Sequence, residues 1–118
     1  MYLSRALHTL DGARHPMVGL LPGEVRMLPR RKTLGYREVE ALEDLPHLAK
    51  GARARGHEFH YSEWVAEPEP DGELVRAYAV AGRRGGQAGV EGYRWRNVTA
   101  SYIHLHFASN PALAARWA

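Results

Sequence analysis

The sequence predicts an α+β fold, with a mixed, largely antiparallel sheet of about five strands and a short helix near each end of the chain. Three observations predict it. Segments rich in β-branched and aromatic residues recur along the chain, separated by glycine and proline turns. Only two segments, residues 2–10 and 112–118, are predicted as helices from their apolar spacing. The 118 residues, 45% of them hydrophobic, suffice for one modest core.

The two helices are predicted from apolar spacing and from the residues that bound them. In residues 2–10 the apolar side chains recur on one side, and Asp11-Gly12 ends the segment. These side chains are Leu3, Ala6, Leu7 and Leu10. In residues 112–118 (ALAARWA), Pro111 stands at the first helical position, where its missing N–H costs nothing.

The strands are predicted from aromatic and β-branched content between turn signals. Residues 33–42 fit helix and strand periodicity alike, and Tyr36 and Val39 favour the strand. Residues 67–73 (EPEPDGE) and 82–89 (GRRGGQAG) are predicted as loops, the second of them flexible. The predicted strands are residues 24–28, 33–42, 55–65 and 75–81, followed by a hairpin or two successive strands at 92–95 and 98–107.

Composition excludes several classes of function. The chain has no cysteine, so it cannot form a disulfide, a thiolate zinc site or a cysteine nucleophile. The net charge of +3 is mild, and the arginine clusters at residues 30–32 and 83–84 are not interleaved with aromatic residues, so no nucleic-acid partner is predicted. No apolar run is long enough to cross a bilayer and no signal peptide is recognisable, so a cytoplasmic protein without a membrane partner is expected.

The histidines are the most informative polar residues. His104 and His106 lie in the run SYIHLHFASNP, and residues two apart on a strand share a face, so both imidazoles are expected on one side of one strand. His57 and His60, three apart in GHEFH, would face opposite sides of a strand and lack the spacing of the zinc-protease motif, so no metal site is predicted. Half-buried, hydrogen-bonded histidines with a purely structural role remain an alternative.

Motifs that supply a nucleophile or bind phosphate are missing from the sequence. There is no GxxxxGK[ST] loop, and the only lysines are Lys32 and Lys50. There is no G-x-S-x-G elbow either. The residues alone therefore offer one or two bases without a nucleophile, and the reaction stays open at this point.

Four motifs in order, GLLPG, RRKTLGYREV, RGHEFHYSE and NVTASYIHLHFASNP, carry a resemblance that covers nearly the whole chain. The chain resembles the carboxyl-terminal part of the cobyrinate a,c-diamide synthase family, within a class I glutamine amidotransferase α/β fold. The resemblance implies a two-module enzyme of cobalamin biosynthesis. One module uses ATP and magnesium to activate the a and c carboxylates of a corrin, and a glutaminase module releases ammonia from glutamine. This chain itself would hold no cofactor.

The resemblance also assigns roles to individual residues. His104 falls on the place of the glutaminase histidine, a general base toward a cysteine thiol and then a general acid toward departing ammonia. His106 stands where many other class I amidotransferases carry a glutamate that orients the histidine, and it would support His104 or merely pack. The GHEFHYS strand would line the glutamine pocket, with His60, Tyr61 and Ser62 nearest the substrate and Glu58 in a supporting position.

Residues 1–118 are therefore expected to form a single, partial amidotransferase domain. In the family, the cysteine-bearing turn comes directly before the segment that matches residues 1–3, so that half of the domain and the ATP module are expected to be absent from this chain. Alone it should hydrolyse neither glutamine nor ATP, and it should self-associate or bind the missing amino-terminal portion. Two alternatives are a non-catalytic interaction domain left as a remnant and a histidine-based metal-binding domain.

Overall fold

A computed structural model describes residues 1–82 and 86–117. Within these residues the chain is mostly strand, with one short α-helix and one 3-10 turn. No helix among them has the length and apolar character needed to span a membrane. The strands are β1 (Ser4–His8), β2 (Arg14–Pro16), β3 (Leu21–Met27), β4 (Thr33–Ala41), β5 (Arg53–His60), β6 (Ser62–Ala66), β7 (Leu74–Ala81), β8 (Gln87–Trp95), β9 (Val98–Ala100) and β10 (Ile103–Leu105), and the helix is α1 (Ala112–Trp117).

The first of two compact units comprises Met1–Leu34 and Phe59–Glu69. Its four-stranded sheet has the order β2-β1-β3-β6, in which β1 and β3 run parallel and the other pairs run antiparallel. Ala6, Leu21 and Val25 are buried in it. Ser4 is buried as well, and its hydroxyl donates to the carbonyl of Met1 at 2.6 Å, so this polar group is satisfied inside the unit.

The second compact unit comprises Gly35–Glu58 and Pro70–Ala118. Its six-stranded sheet has the order β10-β5-β4-β7-β8-β9, so the short strand β10 forms one edge. Nine buried side chains form one core cluster, which draws on four of the strands, on the segment after β4 and on α1. They are Val39, Ala41, Leu45, Leu48, Ala54, Ala77, Tyr78, Ile103 and Leu113.

The predicted amino-terminal helix is wrong, because residues 4–8 form strand β1 between β2 and β3. Ser4 and Ala6 are buried while Arg5 between them is exposed, which is the two-residue period of a strand. Asp11-Gly12 was expected to stop a helix. Instead it lies in the tight connection from β1 to β2, where Gly12 has a φ of 83°. Pairing with two neighbouring strands outweighs the local helical spacing.

The mixed, largely antiparallel character is confirmed, and so is the carboxyl-terminal helix after Pro111. The number of strands is larger than expected. One reason is that the predicted strand of residues 55–65 breaks at Tyr61 into β5 and β6, which belong to different sheets. The predicted flexible loop of residues 82–89 lies partly outside the described residues, as do Arg83 and Arg84, and β8 begins at Gln87.

Edge strand β10 depends on a glycine in its neighbour β5. In their antiparallel register Leu105 faces Gly56 and His104 faces His57. A Cβ atom placed on Gly56 would overlap the carbonyl oxygen of His104 and lie 2.7 Å from its carbonyl carbon. Since backbone atoms cannot yield as the end of a side chain can, only glycine permits this approach of the two strands.

We expect Gly56→Ala to destabilise the protein by about 1–3 kcal/mol, because the added methyl group forces β10 away from β5. The free energy of unfolding in urea measures this. Gly89→Ala is the matched control: Gly89 also lies in a strand, and a Cβ there would have no atom within 4 Å. The control should change stability by less than about 0.5 kcal/mol. Equal stability of the two variants would contradict the prediction.

Candidate active site

His104 lies at the centre of edge strand β10, with its side chain exposed. His57, directly opposite on β5, stacks against it, with ring centroids 4.9 Å apart and ring planes 17° from parallel. Among the described residues, neither ring nitrogen of His104 has a hydrogen-bond partner. The His104 imidazole is therefore held on one face by another ring, while its nitrogens stay available for acid–base chemistry.

His106 lies one residue beyond the end of β10, so the expectation of two histidines on one strand is right for His104 and wrong by one residue for His106. Its backbone is still extended, with φ −94° and ψ 117°, and its N–H donates to the carbonyl of Arg55 at 2.9 Å. The 3-10 turn that follows, Phe107–Ser109, ends the strand pairing. The His106 side chain is exposed and makes no ring contact with His104 in the described part of the chain.

Side chains from the FASNP segment fasten this edge of the sheet after His106. The Ser109 hydroxyl accepts from the N–H of Arg55 at 2.9 Å and donates to the carbonyl of the same residue at 3.1 Å. The Asn110 amide donates to the carbonyl of Arg53 at 2.8 Å, and its side-chain oxygen accepts from the N–H of Ala112 at the start of α1. The Ser109 and Asn110 side chains thus bind the backbone of β5 after strand pairing stops, and Asn110 also accepts from the first residue of α1.

A carboxylate anchors the other end of β10. Glu91 of β8 accepts a hydrogen bond from the Ser101 hydroxyl and another from the N–H of Tyr102 at 3.0 Å. The N–H of Ile103 then donates to the Ser101 hydroxyl at 2.8 Å. Burial raises the pKa of Glu91, and these hydrogen bonds partly oppose that effect, with nearby Glu58 adding to the rise. Glu91 therefore anchors the turn that leads into His104.

Glu58 faces away from His104. It pairs with Ile103 across the two strands, and Ile103 is buried, whereas His104 next to it is exposed, so Glu58 shares the opposite sheet face. Its carboxylate accepts from Arg37 Nε at 2.9 Å in a partly buried ion pair. The structure therefore brings together His104 and His57, and it separates Glu58 from both.

The three predicted pocket residues His60, Tyr61 and Ser62 belong to the first compact unit. His60 Nδ1 lies 2.7 Å from the carbonyl oxygen of Ser62, and since a carbonyl only accepts, Nδ1 carries the proton. Tyr61 is 40% exposed and packs edge-on against Phe59, with ring centroids 5.6 Å apart. Ser62 is buried, so its side chain is the least accessible of the three.

Two cavities lie in the second unit, and neither is lined by the predicted site residues. One, of about 350 Å³, is bordered by Glu38, Glu40 and Arg53. The other, of about 260 Å³, is bordered by Trp117 and by His47, whose ring nitrogen lies 2.7 Å from the Tyr78 hydroxyl. Within residues 1–82 and 86–117, no three His, Asp or Glu side chains cluster to hold a metal ion, so the metal-binding alternative finds no support there.

Sequence reasoning missed two residues of this site. His57 was considered only with His60, because the two are close in sequence, and its partner across the sheet is His104. Glu91 was not considered, because it follows the glycine-rich residues 82–89, which the sequence predicts as a loop. Gly92 has a φ of 73°, and a Cβ there would lie 2.9 Å from the carbonyl of Ala100. The left-handed backbone at Gly92 thus lies next to Glu91, whose carboxylate binds the Ser101 hydroxyl.

We expect the cost of Glu91→Gln to depend on pH. The folded protein holds Glu91 with a raised pKa, so its ionised form is disfavoured in the fold and wild-type stability falls as pH rises from the unfolded-state pKa to the folded-state pKa. Glutamine does not ionise. The variant should therefore lose about 1 kcal/mol near pH 4 through a weakened hydrogen bond, and less near pH 8. Urea unfolding at both pH values measures this, and a penalty that grows with pH would contradict it.

Comparison with known proteins finds relatives over nearly the whole chain. The CobB/CobQ-like glutamine amidotransferase domain family matches residues 1–112. A cobyrinate a,c-diamide synthase from Syntrophotalea carbinolica is 48% identical over 114 residues, which are 97% of this chain and 25% of the relative. One from Priestia megaterium is 41% identical over 118 residues, which are 99% of this chain and 24% of the relative. A hydrogenobyrinate a,c-diamide synthase from Streptomyces coelicolor is 41% identical over 117 residues, which are 99% of this chain and 21% of the relative.

The chain thus spans about a quarter of the length of the curated relatives that it matches. The family match covers nearly all of its residues, including the strand that carries His104 and the strand that carries His57. The chain belongs to the CobB/CobQ-like glutamine amidotransferase domain family.

Proposed function

We propose that this chain is part of the glutaminase module of a cobyrinate a,c-diamide synthase and that His104 is its acid–base histidine. The observation that carries the proposal is the state of His104. Its backbone is fixed at both ends of a short strand, while its imidazole is exposed with both ring nitrogens unengaged among the described residues. A base must be positioned by the protein and yet free to exchange a proton with a reacting group.

The proposed chemistry has two proton transfers at the same ring. His104 takes a proton from a cysteine thiol, and the thiolate attacks the amide carbon of the glutamine side chain. His104 then returns the proton to the departing nitrogen, which leaves as ammonia while a thioester remains and is hydrolysed to glutamate. Because this chain has no cysteine, the nucleophile would lie on another part of the enzyme.

The prediction that His60, Tyr61 and Ser62 lie nearest to the glutamine substrate is kept as part of this proposal. Tyr61 is 40% exposed, and His60 donates its Nδ1 proton to the Ser62 carbonyl, which sets the tautomer of the His60 ring. Ser62 would act through that carbonyl, since its side chain is buried. His106 and Glu58 would support the strand rather than touch glutamine, His106 by its backbone bond to Arg55 and Glu58 by its ion pair with Arg37.

The ATP-dependent activation and the amidation of the corrin are assigned to the part of the relatives that this chain does not cover. The chain lacks a phosphate-binding loop motif, so ATP and magnesium would bind there, together with the corrin whose a and c carboxylates accept the ammonia. The expectation of a cytoplasmic enzyme stays a prediction.

A chimera tests the proposal. The matched segment of the Syntrophotalea carbinolica relative is replaced by this chain, and glutamate formation from glutamine is measured. His104→Ala should lower kcat by about 10²–10⁴-fold, the usual contribution of general acid–base catalysis. His15→Ala is the matched control, because His15 is an exposed histidine on a strand of the other unit, and it should change kcat less than about twofold.

Three outcomes would contradict the proposal. In the chimera, His104→Ala with at least half of the unsubstituted activity would show that this ring is not the base. With the 118-residue chain alone, robust glutamine hydrolysis that disappears in His104→Ala would show a complete active site without any thiol. A chimera that makes no glutamate, beside a fully active relative, would favour the non-catalytic interaction domain.

The expected self-association also stays a prediction. Phe107 and Trp117 lie on the second unit with 57% and 68% of their surfaces exposed, and apolar surface of this kind favours association. Sedimentation at tens of micromolar, roughly the range of weak pairing, should show dimers or larger species of the isolated chain. A clean monomer at that concentration would contradict it.

A further inference from the structure

We propose that His57 is a positioning residue for His104: its ring, stacked on the His104 imidazole across strands β5 and β10, holds that imidazole in the orientation used for proton transfer. The inference rests on the proposed function of His104. It deepens that function by naming a group that restrains the orientation of the His104 ring.

The stacking follows from the register of the two strands. His57 and His104 are directly opposite, and the side chains of such a pair leave the sheet on the same side, a few ångströms apart. Gly56, one residue earlier, sets the approach of the backbones, because any side chain there would overlap the His104 carbonyl group. The centroid distance of 4.9 Å and the angle of 17° are those of two rings in face contact.

The contact matters because, in the described residues, the His104 ring has no hydrogen bond, no ion pair and no other ring contact. An exposed side chain samples several staggered χ1 rotamers, and only one of them directs a ring nitrogen at a given reacting atom. Both rings are exposed, so the stack does not enclose a pocket. We expect it to act on the His104 side chain by favouring one χ1 rotamer. His106 offers no such contact, because its ring touches no described ring and its backbone lies beyond the strand.

The kinetic test uses the chimera and two replacements of one side chain. His57→Ala removes the stacking ring and should lower kcat by about 3- to 10-fold, the range that one aromatic contact supports, while KM changes by less than about twofold. His57→Phe keeps a flat ring without nitrogens and should restore kcat to within about twofold. His15→Ala again serves as the control, and thermal unfolding checks that each variant is folded.

Three kinetic results would overturn the inference. An unchanged kcat in His57→Ala would show that the ring does not position the base. A kcat in His57→Phe as low as in His57→Ala would show that an imidazole, and not a stacked ring, is required. A higher KM at constant kcat would make His57 a substrate-binding residue instead.

A second measurement decides the inference without any glutaminase activity. In the 118-residue chain, NMR three-bond couplings report the χ1 angle of His104. We expect one staggered rotamer in the unsubstituted chain, averaged couplings in His57→Ala and a single rotamer again in His57→Phe. Couplings that stay the same in His57→Ala would refute positioning by stacking. Failure of the proposed function would show differently, as chimera activity that persists in His104→Ala.

Discussion

The close pairing of β5 and β10 at Gly56 is the constraint on which the candidate site depends. β10 has only three residues, which is too little backbone pairing to secure an edge strand by itself. The glycine lets the two backbones approach, and polar groups fasten the strand on both sides. Glu91 anchors the turn before it, and Ser109 and Asn110 bind the neighbouring backbone after it. A side chain at position 56 would push β10 away from β5, and the hydrogen bonds at the two ends of β10 could not replace the lost strand pairing.

The backbone around His104 is fixed, whereas its imidazole nitrogens are left unengaged in the described residues. The hydrogen bonds around β10 engage backbone groups and the side chains of its neighbours, and they leave the ring nitrogens of His104 unengaged in the described residues. In the described residues, the only ring that His104 contacts is His57, against which it stacks. A proton-transfer group needs this combination, because a nitrogen committed to a permanent hydrogen bond could not accept a proton from a thiol and release it again.

Predictions from the local sequence pattern were wrong for two parts of the fold, each for a physical reason. Residues 2–10 satisfy the helical spacing, yet β1 gains partners on both sides in a four-stranded sheet, and these hydrogen bonds decide its conformation. Residues 55–65 look like one aromatic strand, and the change of sheet at Tyr61 leaves no mark in the alternation of residue types. The strands around Val39 and Ala77 and the final helix were predicted correctly, because residue type and the bounding turn residues identify them.

The sequence by itself determined the strand character of the chain, the absence of a thiol, the family resemblance and the place of His104 within an edge-like apolar run. It did so because these features depend on residue type and short-range spacing. Only the tertiary structure decided which histidine faces His104, which carboxylate anchors its strand and why Gly56 stands beside His57. Those contacts join residues about 10 to 50 positions apart. Register across a sheet is set by which strands pair, and local periodicity contains no record of that choice.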